Sequence, residues 1–136
     1  MRLVVDNNVL ISTFIGGQLA GFFRVLESEE VRLFTSRDQV AELMGVLERP
    51  KFRKYFSESK ARLAVDDFCD AANLVEGRLP IVTVCRDPKD NYLLALSKAA
   101  KADLLITGDE DLLVLKKFGR TEVITPAAFM ARRRGA

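Results

Sequence analysis

The sequence predicts an α/β domain with a mostly parallel, five-stranded sheet. Short apolar runs alternate with longer amphipathic segments along the whole chain, and this alternation is the signature of strands joined by helical crossovers. With 136 residues the chain has the length of one domain, expected over 1–136, and buries roughly 65 to 70 per cent of its unfolded surface. No repeat, low-complexity stretch or long linker divides it.

Taken in order, LVV at 3–5, VRLF at 31–34, IVTV at 81–84, DLLIT at 103–107 and VIT at 123–125 read as strands. Helical patterns fall at 19–28, 37–48, 58–75, 88–101 and 126–133. Gly16, Gly17 and Gly21 mark a loop after the first strand. Ser36 and Gln39 form the S-x-x-Q box that opens the second helix. Pro50 closes that helix, because it lacks an amide donor and restricts Arg49. Asp87 and Pro88 open the fourth as N-cap and first helical residue.

Composition closes several routes to function. The chain has no His and no Trp, so histidine acid-base chemistry, histidine metal ligation and a Ser-His-Asp centre are excluded. Cys69 and Cys85 form neither a C-x-x-C pair nor a disulfide framework, and read as buried small hydrophobes. Neither G-x-x-x-x-G-K-[ST] nor G-x-G-x-x-G occurs. The N-terminus is too polar for a signal peptide and no apolar run reaches a membrane span, so a soluble, cytoplasmic protein is expected. Net charge is +2, but the charge is unevenly spread. Arg49, Lys51, Arg53, Lys54, Lys60 and Arg62 face only Glu58 in one stretch, and Arg132, Arg133 and Arg134 end the chain.

Four distant acids carry the functional signal: Asp6 after the first strand, Glu42 in the second helix, Asp90 at a helix start and Asp109 after the fourth strand. In open α/β sheets a ligand site forms beyond the carboxyl ends of the strands, where strand order reverses. All four could gather there. Two unit charges about 4 Å apart cost on the order of 4 kcal/mol at an effective dielectric near 20, and a hard divalent cation, Mg2+ or Mn2+, would offset that cost. Each acid also has an ordinary structural role open to it. Glu42 could be a solvated helix residue, Asp90 could complement the helix dipole, Asp109 could cap a short helix with Asp111 as a second turn residue, and Asp6 could begin a simple turn.

Three segments, VVDNNVLIS, TSRDQVAELMGVLERPKF and DPKDNYLLALSKAAKADLLITGDEDLL, together resemble the PIN domain family, in the branch of toxin components of toxin-antitoxin systems. The resemblance runs from Arg2 to about Pro126. It implies a three-layer α/β/α domain and a metal-dependent endoribonuclease, with Asp6, Glu42, Asp90 and Asp109 catalytic and Asp6, Asp90, Asp109 and Asp111 holding Mg2+ or Mn2+. It further implies that Asn8 orients the Asp6 carboxylate, and that Asn7 stands where the family commonly has Thr or Ser. An RNA substrate, a cognate antitoxin and a homodimer are the implied partners. Metal-activated water would attack the phosphorus and leave 5′-phosphate and 3′-hydroxyl ends. Arg37 and the 49–62 cluster are the candidates for phosphate contacts.

Rival classes fit less well. A receiver domain needs an acidic pair after the first strand, and an aspartyl phosphatase needs D-x-D, whereas Asp6 is followed by Asn7 and Asn8. The alternative that survives is a catalytically inactive PIN domain acting as an RNA- or protein-binding module.

Overall fold

The computed structural model describes residues 1–16, 22–26, 28 and 30–134. Strands β1 (Arg2–Val5), β2 (Arg32–Thr35), β3 (Ala72–Leu74), β4 (Leu104–Ile106), β5 (Lys117–Phe118) and β6 (Thr121–Ile124) form one sheet in the order β3-β2-β1-β4-β6-β5. All neighbours are parallel except β5 and β6. The sheet therefore has six strands, one more than expected.

Helices α1 (Asn7–Ile15), α2 (Phe22–Leu26), α3 (Arg37–Leu47), α4 (Glu58–Ala71), α5 (Asn91–Ala99), α6 (Glu110–Leu113) and α7 (Pro126–Arg134) cover the sheet. Alternate residues of each central strand serve opposite faces, as the two-residue period of a strand requires. Leu3, Val5, Leu33, Leu104 and Ile106 pack with α1, α3, α4 and α7 through Leu10, Leu43, Phe68 and Phe129. Val4, Phe34, Leu105 and Val123 pack on the other side against Leu93, Leu94 and Leu96 of α5 and Leu112 of α6. Each fully buried Leu or Phe contributes roughly 1.5–3 kcal/mol relative to exposure. The result is a three-layer α/β/α arrangement.

Several expectations need correction. IVTV at 81–84 is not a strand: Ile81 is 86 % exposed and Val84 is exposed. The strand beside β2 is instead Ala72–Leu74, delivered directly by the end of α4, so the helix expected over 58–75 stops at Ala71. Asn73 reinforces that edge, its side-chain amide donating to Leu33 O at 3.1 Å. The first helix begins at Asn7, where only a turn was expected, because Val9, Leu10 and Ile11 are buried against the core and tertiary packing overrides the weak helix propensity of Asn and β-branched residues. The helix expected over 19–28 appears as α2; residues 17–21, including Gly17 and Gly21, lie outside the described residues. The segment expected as a helix from 88 opens as a 3-10 turn, Pro88–Asp90, before α5. Strand β5 joins β6 through Gly119 and Arg120, with Gly119 at φ +59°, a left-handed value that glycine adopts freely. Cys85 is buried as expected, but Cys69 is exposed on α4. No described helix is long and apolar enough to cross a membrane.

Candidate metal centre

Strand order reverses between β1 and β4: from β1 the chain builds outward to β2 and β3, then returns to the other side of β1. The crevice beyond the carboxyl ends of these two strands is the expected ligand position, and Asp6 and Thr107–Asp109 leave the sheet there. Asp6 N donates to Ile106 O at 2.9 Å, holding the two strand ends side by side.

Asp6 is the N-cap of α1 and only 5 % exposed. Its Oδ1 accepts from the backbone amide of Asn8 at 3.3 Å, and its Oδ2 accepts from the Thr107 hydroxyl at 2.7 Å. Asn8 thus meets the Asp6 carboxylate through its main chain, while the residue itself is exposed. Burial pushes the Asp6 carboxyl up from the ordinary range; the hydrogen bonds from Thr107 and Asn8 oppose this, and the charges of Asp109 and Glu42 add to it. Asp109 caps α6, its Oδ1 accepting from Asp111 N at 2.9 Å, and its own amide donates to the Thr107 hydroxyl at 3.0 Å.

Asp90 ends the 3-10 turn that Asp87 caps through Lys89 N at 3.1 Å. Its carboxyl is pushed up to about 7, first by desolvation, then by a hydrogen bond and charge repulsion from Asp109 and by the charges of Asp6 and Asp87. Asp90 Oδ2 is buried without a hydrogen-bond partner. Among the described residues, Asp87, Asp90 and Asp111 bring one carboxylate oxygen each within 4.8 Å of one another. This trio overlaps the expected ligand set in Asp90 and Asp111 and adds Asp87, for which sequence reasoning gave only a capping role. Asp6 and Asp109 join the group electrostatically, as the shared repulsion shows. Arg86 pairs with Asp111 Oδ1 at 2.9 Å at the exposed rim.

On the α3 side, Ser36 Oγ accepts from Gln39 N at 3.2 Å and so starts the helix as expected. Gln39 does not complete the box. Its buried side chain donates to Val5 O at 2.6 Å and accepts from Thr35 Oγ1 at 2.7 Å, tying α3 to the end of β1. Glu42, exposed on the following turn, receives the side-chain amide of Asn7 at 3.4 Å. Arg37 is highly exposed and pairs with Glu76 at 3.6 Å. Thr107, Tyr92 and the bonding of Asn7 escaped sequence reasoning; the position of Thr107 immediately after β4, at the reversal, was the available signal.

The donor set suits a hard cation. Clustered carboxylate oxygens, with a buried Asp90 Oδ2 that lacks a hydrogen-bond partner, are hard oxygen ligands that the rim guanidinium of Arg86 only partly neutralises. A cavity of about 340 Å3 between α3 and α4, bordered by Met44, Arg53, Ala61 and Arg62, is lined by none of these acids.

A family model described as a PIN domain matches residues 2–111. No curated protein matches the chain.

Proposed function

Because the chain belongs to the PIN domain family, a fold commonly found in nucleases, we propose that it is a Mg2+- or Mn2+-dependent endoribonuclease and the toxin of a toxin-antitoxin pair. The observation that carries this reading is the cluster of Asp87, Asp90 and Asp111 oxygens at the strand reversal, where desolvation first, and then Asp109, Asp6 and Asp87, push the Asp90 carboxyl up to about 7. We read residues 1–136 as one domain, since β6 and α7 complete the sheet and the core.

Asp90, Asp111 and Asp87 would hold the cation, with Asp6 and Asp109 beside them as further oxygen donors. When bound, the cation makes water acidic enough to lose a proton near neutral pH and counters the charge of the phosphate. Glu42, outside the trio, accepts that proton as general base. Thr107 keeps Asp6 and Asp109 in register. The Asn8 amide fixes the rotamer of the Asp6 carboxylate. Arg37, whose pair with Glu76 is solvent-exposed and weak, exchanges Glu76 for an RNA phosphate, and the 49–62 cluster, past the opposite end of α3, offers separate phosphate contacts. Water attack on phosphorus, with the 3′ oxygen leaving, gives 5′-phosphate and 3′-hydroxyl ends. A cognate antitoxin, a homodimer and a cytoplasmic location complete the reading and rest on the family resemblance.

The test is cleavage of structured and unstructured RNA with Mn2+, Mg2+ or EDTA, by the wild type and by Asp6→Asn. Cutting that requires the cation and fails in Asp6→Asn supports the assignment. Cutting that persists in EDTA, or RNA binding with no metal-dependent cutting, overturns it; the latter is the behaviour of an inactive binding module.

A further inference from the structure

Glu42 sits on an exposed turn of α3, where an isolated glutamate samples many rotamers, yet side chains from two other helices converge on it. Asn7, in the first turn of α1, is 2 % exposed. Its Nδ2 lies 3.4 Å from Glu42 Oε1, 3.4 Å from the Tyr92 hydroxyl of α5 and 3.2 Å from Gln39 O of α3. The Tyr92 hydroxyl and Glu42 Oε1 thus meet at one amide, and the Tyr92 phenol is pushed up by burial first and by the nearby Glu42 carboxylate next. An amide has two hydrogens, so one buried NH2 group is shared among three acceptors on two elements.

The other end of the same amide makes the arrangement informative. Asn7 Oδ1 is buried with no hydrogen-bond partner, a condition that costs roughly 1–3 kcal/mol. An apolar side chain would avoid the penalty. Asn7 is therefore poorly explained by packing, and its contribution lies in where its NH2 group points.

We propose that Asn7 and Tyr92 are positioning residues, which clamp the Glu42 carboxylate in one orientation beside the acid centre; the role in turnover rests on the ribonuclease reading of that centre. The Asn7 amide of α1 donates to the carboxylate carried by α3 and to the Tyr92 hydroxyl of α5; in the clamp that hydroxyl turns its own proton to Glu42, so three helices set the orientation. A carboxylate offers about four lone-pair sites, and the clamp leaves the remainder for water. A freely rotating Glu42 would spend most of its time out of reach, and misplacement of about 1 Å can cost on the order of a hundredfold in rate.

Two measurements test this. The chain has no Trp and two tyrosines, so in a Tyr55→Phe protein all tyrosine emission comes from Tyr92. A phenol hydrogen-bonded to a carboxylate is quenched, and Glu42→Gln in that background is expected to raise the emission, with no metal or RNA present. Unchanged emission overturns the clamp whatever the activity. In RNA cleavage, Tyr92→Phe is expected to lower kcat about tenfold to a hundredfold with KM within about twofold, and to have no further effect once Glu42→Gln is present, since coupled residues are non-additive. Losses that multiply in the double variant overturn the positioning role. If emission rises but Glu42→Gln leaves kcat intact, the clamp is supported and the general-base role of Glu42 is overturned, so the two failures are distinguishable.

Discussion

The hydroxyl of Thr107 donates to Asp6 Oδ2 at 2.7 Å, joining residues 101 positions apart. The Thr107 hydroxyl oxygen in turn accepts the amide of Asp109 at 3.0 Å. One side chain thus sets the spacing between the acid after β1 and the acid after β4, and it does so from a fully buried position.

Thr107→Val keeps the shape of the side chain and removes both bonds. It is expected to cost about 1–3 kcal/mol in urea denaturation and to weaken Mn2+ binding, whereas Thr107→Ser retains the hydroxyl and both properties. Equal Mn2+ affinity in the valine variant would show that Asp6 needs no such support.

Proton linkage gives a second expectation. The Asp90 carboxyl is raised from 3.8 to about 7 in the fold, so the folded state binds more protons between those values. Its stabilising contribution is complete below about 3.8 and is lost as pH rises through about 7; burial moves Asp6 in the same direction. The metal-free protein should therefore melt at a lower temperature at pH 8 than at pH 5.5. Mn2+ should raise the melting temperature more at pH 8, where no proton has to be displaced. Asp90→Asn should flatten both trends. Asp103 and Glu122, held low by the Arg2 amide and by Arg132 respectively, lose their contributions only as pH falls through the acid range and do not confuse this window.

Gln39 is fully buried and bonded at both ends of its amide. Gln39→Leu strands the Val5 carbonyl and the Thr35 hydroxyl. A loss of about 1–3 kcal/mol is expected from chemical denaturation, and a variant as stable as the wild type would remove this tether from the physical picture of how α3 is placed.

Asp87 can be tested for a role beyond capping. Asn caps as well as Asp, so Asp87→Asn should change stability by only a few tenths of a kcal/mol. Mn2+ affinity by calorimetry should nevertheless fall about tenfold, or about 1.4 kcal/mol, since one of the three clustered oxygens loses its charge. Unchanged affinity would return Asp87 to the capping role alone.

The sequence revealed the parts of this molecule that follow from local periodicity and caps. Strands β1, β2, β4 and β6 came from apolar runs, and the helix starts at Ser36 and Asp87 from their side-chain oxygens. It misled where tertiary contacts decide. The β-branched run at 81–84 has strand composition but pairs with no strand and leaves Ile81 and Val84 exposed, whereas Ala72–Leu74 has ordinary composition and lies beside β2 because α4 ends there. Acids at strand ends were visible in the chain because Asp6 and Asp109 follow apolar runs directly. Their hydrogen-bonding partners were not, since Thr107 meets Asp6, and its neighbour Asn7 meets Tyr92, across sequence separations of 101 and 85.

Electron paramagnetic resonance of Mn2+ titrated with the protein, at pH 8 and without RNA, reads the convergence of these acids most directly. Uptake of Mn2+ by the wild type, competed by Mg2+ and weakened at least about tenfold in Asp90→Asn, is the expected result. Free Mn2+ signal throughout the wild-type titration, or equal uptake by Asp90→Asn, would contradict a carboxylate-held cation at the β1–β4 reversal.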